Sequence, residues 1–397
     1  MKNTLFLLIC FLASLPASPA FSQPSARIAG GPYLQNVTED GFTVIWTTTT
    51  DAAAWVETAP DDGTHFYAVE RPKYYDSHLG RRRLGKLHRV CVGGLEPGKT
   101  YRYRIMQQAV LSDEGNKRVV LGEGYGSDIL KHAPYPVTTP SADRNELEFW
   151  MVNDIHGRDS VFRLLIGDAP KQKPDFVCLN GDLLNSIESE EALFAGFLAS
   201  ASELLTPAGI PLVVTRGNHD GRGKFARHWL DYFPTPTGES YYTFRRGPVF
   251  FVVLDGCEDK PDSDIRYYGL STADAYREQQ AQWLRGVVAD EEFRSAPYRI
   301  VLIHMPPNKG RGWHGELEIE RLFLPILDGS GIDLMLCGHY HRYQWIDDLS
   351  RGADFPILIN SNSDKTVVTA SAKGIDIRVV DTAGDVVKEH KIPRNNR

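Results

Sequence analysis

The chain has 397 residues, 42% hydrophobic and 24% charged, a composition with no dominant short repeat that excludes wholesale disorder, collagen and coiled coil. At roughly 150 residues per domain the length predicts two or three domains, two being the simplest count. The formal charge of −7, from 44 Lys and Arg against 51 Asp and Glu, removes any general electrostatic reason to bind duplex nucleic acid or an acidic membrane surface.

Lys2 precedes an apolar run at residues 5–15, and small or turn-forming residues follow at 17–22. This layout predicts a secretory signal, residues 1–22, cleaved after Ser22, with an apolar run too short to span a membrane. Cys10 does not fit lipid attachment, because Ile9 stands where a small residue is expected. No later segment offers roughly eighteen uncharged apolar residues, so a periplasmic or secreted chain without a membrane span is expected. Cys91, Cys178, Cys257 and Cys337 lack metal-type spacing, and Cys178 and Cys337 sit in apolar runs. Mostly buried free thiols are therefore expected.

Residues 23–140 read as an all-β domain. Short strands are predicted at 41–48, 54–58, 88–92 and 100–106, where Phe42, Val44, Trp46 and again Tyr101, Tyr103, Ile105 alternate as half-buried strands require. Such a pattern calls for a β-sandwich. Pro32-Tyr33-Leu34-Gln35, Val44-Ile45-Trp46 and the run from Gly94 to Tyr103 resemble a fibronectin type III module, specifically the N-terminal domain of purple-acid-phosphatase-like proteins. None of these residues carries chemistry, which implies a packing or orienting role. Arg81-Arg82-Arg83 reads as a solvated loop or strand edge, and residues 134–144, with three Pro, as a linker.

From residue 145 to 397 the rhythm changes. Strands are predicted at 147–152, 175–179 and 211–215, helices at 162–168 and 188–205, and further strands at 250–254, 299–303 and 333–337. The tail, 356–392, is strand-rich and ends in a hairpin of 374–380 with 386–392. Alternating strands and helices indicate an α/β layered domain.

The ends of those strands carry Asp154-Ile155-His156, Gly181-Asp182, Gly217-Asn218-His219-Asp220, Ile303-His304 and Gly338-His339-Tyr340-His341. Five of the 12 His lie there, at the C-terminal strand ends where α/β sheets assemble their sites. A lone His or Asp at such a place is usually a structural hydrogen-bonder, but coincidence is a poor account of five segments. Carboxylates, an amide oxygen and imidazoles suit Zn, Fe or Mn and suit Ca poorly. Seven donors exceed the needs of one tetrahedral ion and suffice for two ions if one carboxylate bridges them. Period-two alternation is expected to send Asp154 with His156, and His339 with His341, to one side of extended segments. Charge agrees with a need for cations: residues 146–397 hold 28 Lys and Arg against 37 Asp and Glu, while 23–145 hold 15 against 14.

In this order and spacing the five blocks resemble the calcineurin-like metallophosphoesterase family over residues 147–345. The resemblance implies a four-layer α/β fold, a β-sandwich flanked by helices. It further implies one metal on Asp154, His156, Asp182 and His341 and a second on Asp182, Asn218, His304 and His339, with Asp182 bridging. His219 is implied to face the phosphoryl group and the leaving oxygen as the catalytic side chain. The two ions, divalent or mixed-valence, would lower the pKa of a shared water so that hydroxide attacks phosphorus near neutral pH. Purple acid phosphatases differ in two blocks: they have DxG where this chain has His156, and a metal-binding tyrosine where it has Asn185.

The expected activity is hydrolysis of small phosphate monoesters, with a phosphodiesterase or nucleotide pyrophosphatase as alternatives on the same site and a non-catalytic metal protein as a third. Arg158, Arg216 and His314 are candidate substrate contacts, the last in a Gly-rich segment, 308–315, that reads either as a mobile loop over the metals or as plain surface. Asp220 either orients a neighbour or caps the next helix, the cap being favoured. Asp255 is a candidate partner of a ligand His. Oligomeric state is open.

Overall fold

Residues 25–126, 133–141, 143–348, 350 and 352–394 are described by a computed structural model. The expected secretory signal, with Cys10, lies outside them. Among the described residues no helix is long and apolar enough to cross a membrane.

The two strands expected at 41–48 and 54–58 are one strand, Gly41–Pro60. Its first half pairs with Ile28–Thr38 and Gly85–Val92, its second half with Thr100–Asp113 and Lys73–Tyr75. A register break between Thr47 and Ala52 marks where it passes from one layer to the other. The two halves face each other across a core that holds Phe42, Val44 and Trp46 against Ala54, Val56, Tyr103 and Ile105. The result is a β-sandwich made from one folded, seven-stranded antiparallel sheet, and a fibronectin type III-like domain is compatible with it.

Two six-stranded sheets make the second half. In the first, Leu212–Thr215, Phe176–Asn180 and Leu147–Val152 run parallel and are followed by the antiparallel Asp364–Ser371, Gly374–Asp381 and Val386–Pro393. In the second, Val249–Leu254, Tyr298–Ile303, Leu334–Cys337 and Ile357–Ile359 run parallel, with antiparallel Tyr242–Arg246 and Gln344–Ile346 at the edges. Phe149, Met151, Phe176 and Cys178 point into the space between the sheets, against Phe251, Ile300 and Leu336. Their alternates Trp150, Val152, Val177 and Leu179 point out, under helices. Burial on both faces is why these strands read as unbroken apolar runs. Helices Ala273–Ala289 and His314–Leu322 cover the far side of the second sheet, which completes four layers.

The helix expected at 162–168 runs Asp159–Ile166. That expected at 188–205 starts at Glu190, where Ser189 caps it by accepting from Ala192 N at 3.2 Å, and it contains one π-helical turn, Phe194–Leu198. All four described cysteines are free, three of them buried and Cys91 exposed.

The sandwich is joined to the layered half through a shared core that includes Tyr33 and Ile45. Tyr33 Oη donates to Tyr232 O at 2.8 Å, Thr206 Oγ1 to Pro32 O at 2.6 Å and Arg246 Nη2 to Val37 O at 3.1 Å. Tyr33 is 1% exposed, so Tyr33→Ala removes both packing and a buried bond. We expect it to cost about 3–5 kcal/mol in urea unfolding; a loss below about 1 kcal/mol would show that the interface carries little of the stability.

Candidate metal centre

Each expected donor sits in the loop that leaves a strand: Asp154 and His156 after Leu147–Val152, Asp182 after Phe176–Asn180, Asn218 after Leu212–Thr215, His304 after Tyr298–Ile303, and His339 and His341 after Leu334–Cys337. The expected extended pairs are not there. Asp154, His156, Asp182, His339 and His341 have φ of +52°, +51°, +53°, +73° and +56°, so they converge through left-handed turns and not through strand pleat. Asp and His are among the side chains that tolerate this region best, and each such residue still costs about 1–3 kcal/mol. The glycines before them are required by close approach: a Cβ on Gly217 would stand 2.3 Å from Asp182 N, and one on Gly338 2.6 Å from Asp154 Oδ2.

Three overlapping groups of possible ligand atoms result: Asp154 with His156 and His341, His156 with Asp182 and His219, and Asp182 with His304 and His339. Asn218 Oδ1 lies 3.1 Å from His339 Nδ1. Asp154 Oδ2 accepts from Asn153 Nδ2 at 2.7 Å and from His339 N at 2.8 Å. Its Oδ1 has no hydrogen-bond partner and faces His341 Nε2 at 3.1 Å and both His156 and His304 Nε2 at 3.7 Å. His304 Nδ1 bonds Asn180 O at 2.8 Å, which turns a buried, unpartnered Nε2 toward Asp182 Oδ2, 3.2 Å away. Buried acceptors left unsatisfied and aimed at one point are what a cation would complete.

Charge tells the same story. Burial pushes the Asp154 and Asp182 carboxyls up, but neighbours led by His304 hold both below the usual carboxylate range. Burial pulls His304 down, yet Asp182 and Asp154 carry it up to about 10. Burial and the charge on His304 push His339 down to about 4. The upward pull on His304 is that of two buried carboxylates, negative charge that a bound cation would neutralise.

Asp220 is not a helix cap. Fully buried, its Oδ2 accepts from Asp182 N at 2.8 Å and Gly217 N at 2.9 Å, and its Oδ1 from Leu183 N at 3.0 Å. It fixes the turn that aims Asp182. His219 Nδ1 lies 3.0 Å from Asn185 O, leaving Nε2 3.9 Å from Asp182 Oδ2.

Each expected substrate contact has a partner within the protein, and Arg216 also lines a cavity beside Asn218. Arg158 donates to the carbonyls of Asp154, Ile155 and Asn362, Arg216 Nε pairs with Asp255 Oδ2 at 2.7 Å, and His314 pairs with Asp274 at 2.8 Å. Asp255 therefore serves Arg216. The segment 308–315 leads into helix His314–Leu322, whose Glu316, 1% exposed, accepts from Trp313 N at 2.7 Å and from Tyr340 Oη, and lies 3.7 Å from His339 Nε2.

Sequence reasoning missed Glu316, the Asn153 and Asn360 pair, and Arg222. Asn360 Nδ2 donates to Asn153 Oδ1 at 2.8 Å from 207 positions away, and no local signal marks it. Arg222 stands three residues past His219, with Nη1 3.0 Å from His219 Nε2 and Nη2 paired to Glu258 at 2.8 Å; its place next to the Gly-Asn-His-Asp block was a usable cue.

A helix-flanked pair of sheets with His, Asp and Asn donors collected at strand ends defines a metallohydrolase scaffold. Residues 147–343 belong to the calcineurin-like phosphoesterase family, whose profile they match. Among curated proteins, the chain is 24% identical over 285 residues to purple acid phosphatase 22 of Arabidopsis thaliana, covering 66% of this chain and 54% of that protein. It is 22% identical to purple acid phosphatase 18 of the same plant, covering 85% and 70%, an alignment too long to be confined to the second half. The human serine/threonine-protein phosphatase CPPED1 is 25% identical over 184 residues, covering 43% of this chain and 54% of that protein. The chain thus spans about half the length of several curated relatives it matches.

Asp220→Asn keeps the volume but offers one acceptor oxygen where the aspartate offers two. Metal retained after dialysis is expected to weaken about 10–100-fold, as for other residues that orient a ligand; unchanged retention would contradict the orienting role.

Proposed function

We propose that the protein is an exported, metal-dependent phosphatase that hydrolyses small phosphate monoesters. The observation that carries the proposal is the overlap of the donor groups, in which His156 and Asp182 are each shared by two of the three, with Asp154 Oδ1 and His304 Nε2 buried and unpartnered among them. In this proposal Asp154, His156, Asp182 and His341 hold one ion, and Asp182, Asn218, His304 and His339 the other. When bound, the ions supply positive charge that polarises the phosphoryl group and activates water.

The chain's own residues do the rest. Asp220, Asn153 and Glu316 keep the donors oriented. His219, with Nδ1 held at Asn185 O, exchanges the contact of its Nε2 with Arg222 Nη1, 3.0 Å away, for the leaving oxygen, toward which it acts as proton or hydrogen-bond donor. Names of the relatives support a phosphatase, and the monoester follows from the likeness to purple acid phosphatases. The ions are Zn, Mn or Fe. Because Asn185 offers a carbonyl to His219 and stands where the purple enzymes have tyrosine, the loaded protein is expected to lack a tyrosinate charge-transfer band; a purple colour would contradict this ligand set.

The activity test uses metal-stripped protein with single metals restored, acting on phenyl phosphate and on a matched aryl diester. Metal-dependent turnover favouring the monoester more than tenfold is expected, with kcat falling about 10²–10⁴-fold in His219→Ala. A preference for the diester would transfer the site to phosphodiesterase chemistry, and no turnover with any metal would overturn the hydrolase assignment.

A further inference from the structure

Two joined cavities, of 440 and 770 Å³, open beside the donors. The first is bounded by Gly217 and Asn218, the second by Arg222, and both share Gly221, Glu258, Leu270 and Ser271. Each falls in the size range of small-molecule sites. Arg222, at 3.0 Å from His219 Nε2, connects the second cavity to the side chain that the proposed function sets at the leaving oxygen.

Its wall has a definite chemistry. Arg222, Lys224, Lys260 and Arg266 line the second cavity, with Glu258 as the one carboxylate among its lining residues, although the half of the chain they belong to is acidic. Over the same mouth runs the segment 258–271. It is anchored, since Asp262 accepts from Ser271 Oγ at 2.6 Å and Ala273 N at 2.8 Å, and Tyr267 Oη donates to Glu258 at 3.0 Å. Yet this fixed segment leaves Tyr268 85% and Leu270 84% exposed, and both line the cavity. The groups that would grip a polyol are already engaged: Glu258 by Arg222 and Tyr267, Asp259 by Arg222 and Lys260, Ser271 by Asp262. Three of the four cations are paired in turn, Arg222 with Glu258 and Asp259, Lys260 with Asp259 and Arg266 with Asp264, so the wall is largely charge-balanced and its apolar rim suits an apolar body.

We infer that this cavity receives the leaving group, and that it selects phosphate monoesters of apolar, ring-bearing alcohols over those of sugars and polyols. The inference rests on the monoesterase proposal above. The metal centre takes the phosphoryl group, and the ring covers Tyr268 and Leu270, which water otherwise wets.

The test compares 2-phenylethyl phosphate with glycerol 3-phosphate on the metal-loaded protein; both are primary alkyl esters, so intrinsic reactivity is similar. A preference of at least tenfold in kcat/KM for the phenylethyl ester, carried by KM, is expected, and it should fall below threefold in the Tyr268→Ser/Leu270→Ser double variant. Both positions are exposed, so an unchanged Tm is expected to show that the variant is folded. Equilibrium binding of 2-phenylethylphosphonate and 2,3-dihydroxypropylphosphonate gives a readout without turnover: at least fivefold tighter binding of the former is expected, lost in the double variant. If neither ester is hydrolysed while the binding preference stands, the monoesterase proposal fails and the cavity assignment survives. Equal binding of the two phosphonates by the wild type, or a preference that persists in the double variant, overturns the inference.

Discussion

Two buried carboxylates facing one another through His304 set the terms for the rest of this molecule. Asp154 is fully buried and Asp182 nearly so, and in water-free surroundings neither can remain charged without a cation or a web of donors. The chain supplies the donors on one side of each: Asn153 and His339 N–H for Asp154, His219 N–H for Asp182. On the opposite side Asp154 Oδ1 has no hydrogen-bond partner and Asp182 Oδ2 faces the imidazoles of His304, His156 and His219. That asymmetry is a sounder pointer to a metal centre than the residue types alone, because a purely structural carboxylate would have both oxygens satisfied.

Holding the arrangement open consumes stability. Five donors adopt left-handed backbone, which only the surrounding hydrogen bonds keep in place. The two sheets that bear them are buried on both faces and tied together by Phe149, Phe176 and Phe251. Asn180 adds a polar clasp, its Nδ2 reaching Ile303 O and Leu336 O across the sheets at 3.4 and 3.3 Å. Rigid layers carry the strained loops, as a preorganised site requires. The contacts of the N-terminal sandwich described above fall on Thr206, Tyr232 and Arg246, away from the donor loops, in keeping with a packing and orienting role.

Much of this was legible in the sequence, for identifiable reasons. Apolar runs ending in Asp, His or Gly-Asn-His marked strand ends, and short-range periodicity located most strands of the layered half. What periodicity could not convey was backbone hand: Asp154 and His156 look like an alternating pair whether the segment is extended or turned. Nor could it show that residues 41–60 make one strand, since the residues between the expected strands 41–48 and 54–58 break the alternation where the strand bends between layers. Partners distant in sequence were invisible. The partners of Arg158, Arg216 and His314 are Asn362, Asp255 and Asp274, which lie 204, 39 and 40 positions away. Asp220 read as a cap because its three backbone donors come together only in the folded turn.

In the proposed centre Asp182 is shared between two ions while the other donors serve one each. Metal content per chain, measured by mass spectrometry on the purified protein and on Asp182→Asn and His156→Ala, tests it most directly. Two ions in the wild type, one in His156→Ala and none held tightly in Asp182→Asn are the predicted results. A single ion in the wild type, or an Asp182→Asn protein that still holds one ion as firmly as His156→Ala does, would contradict the account.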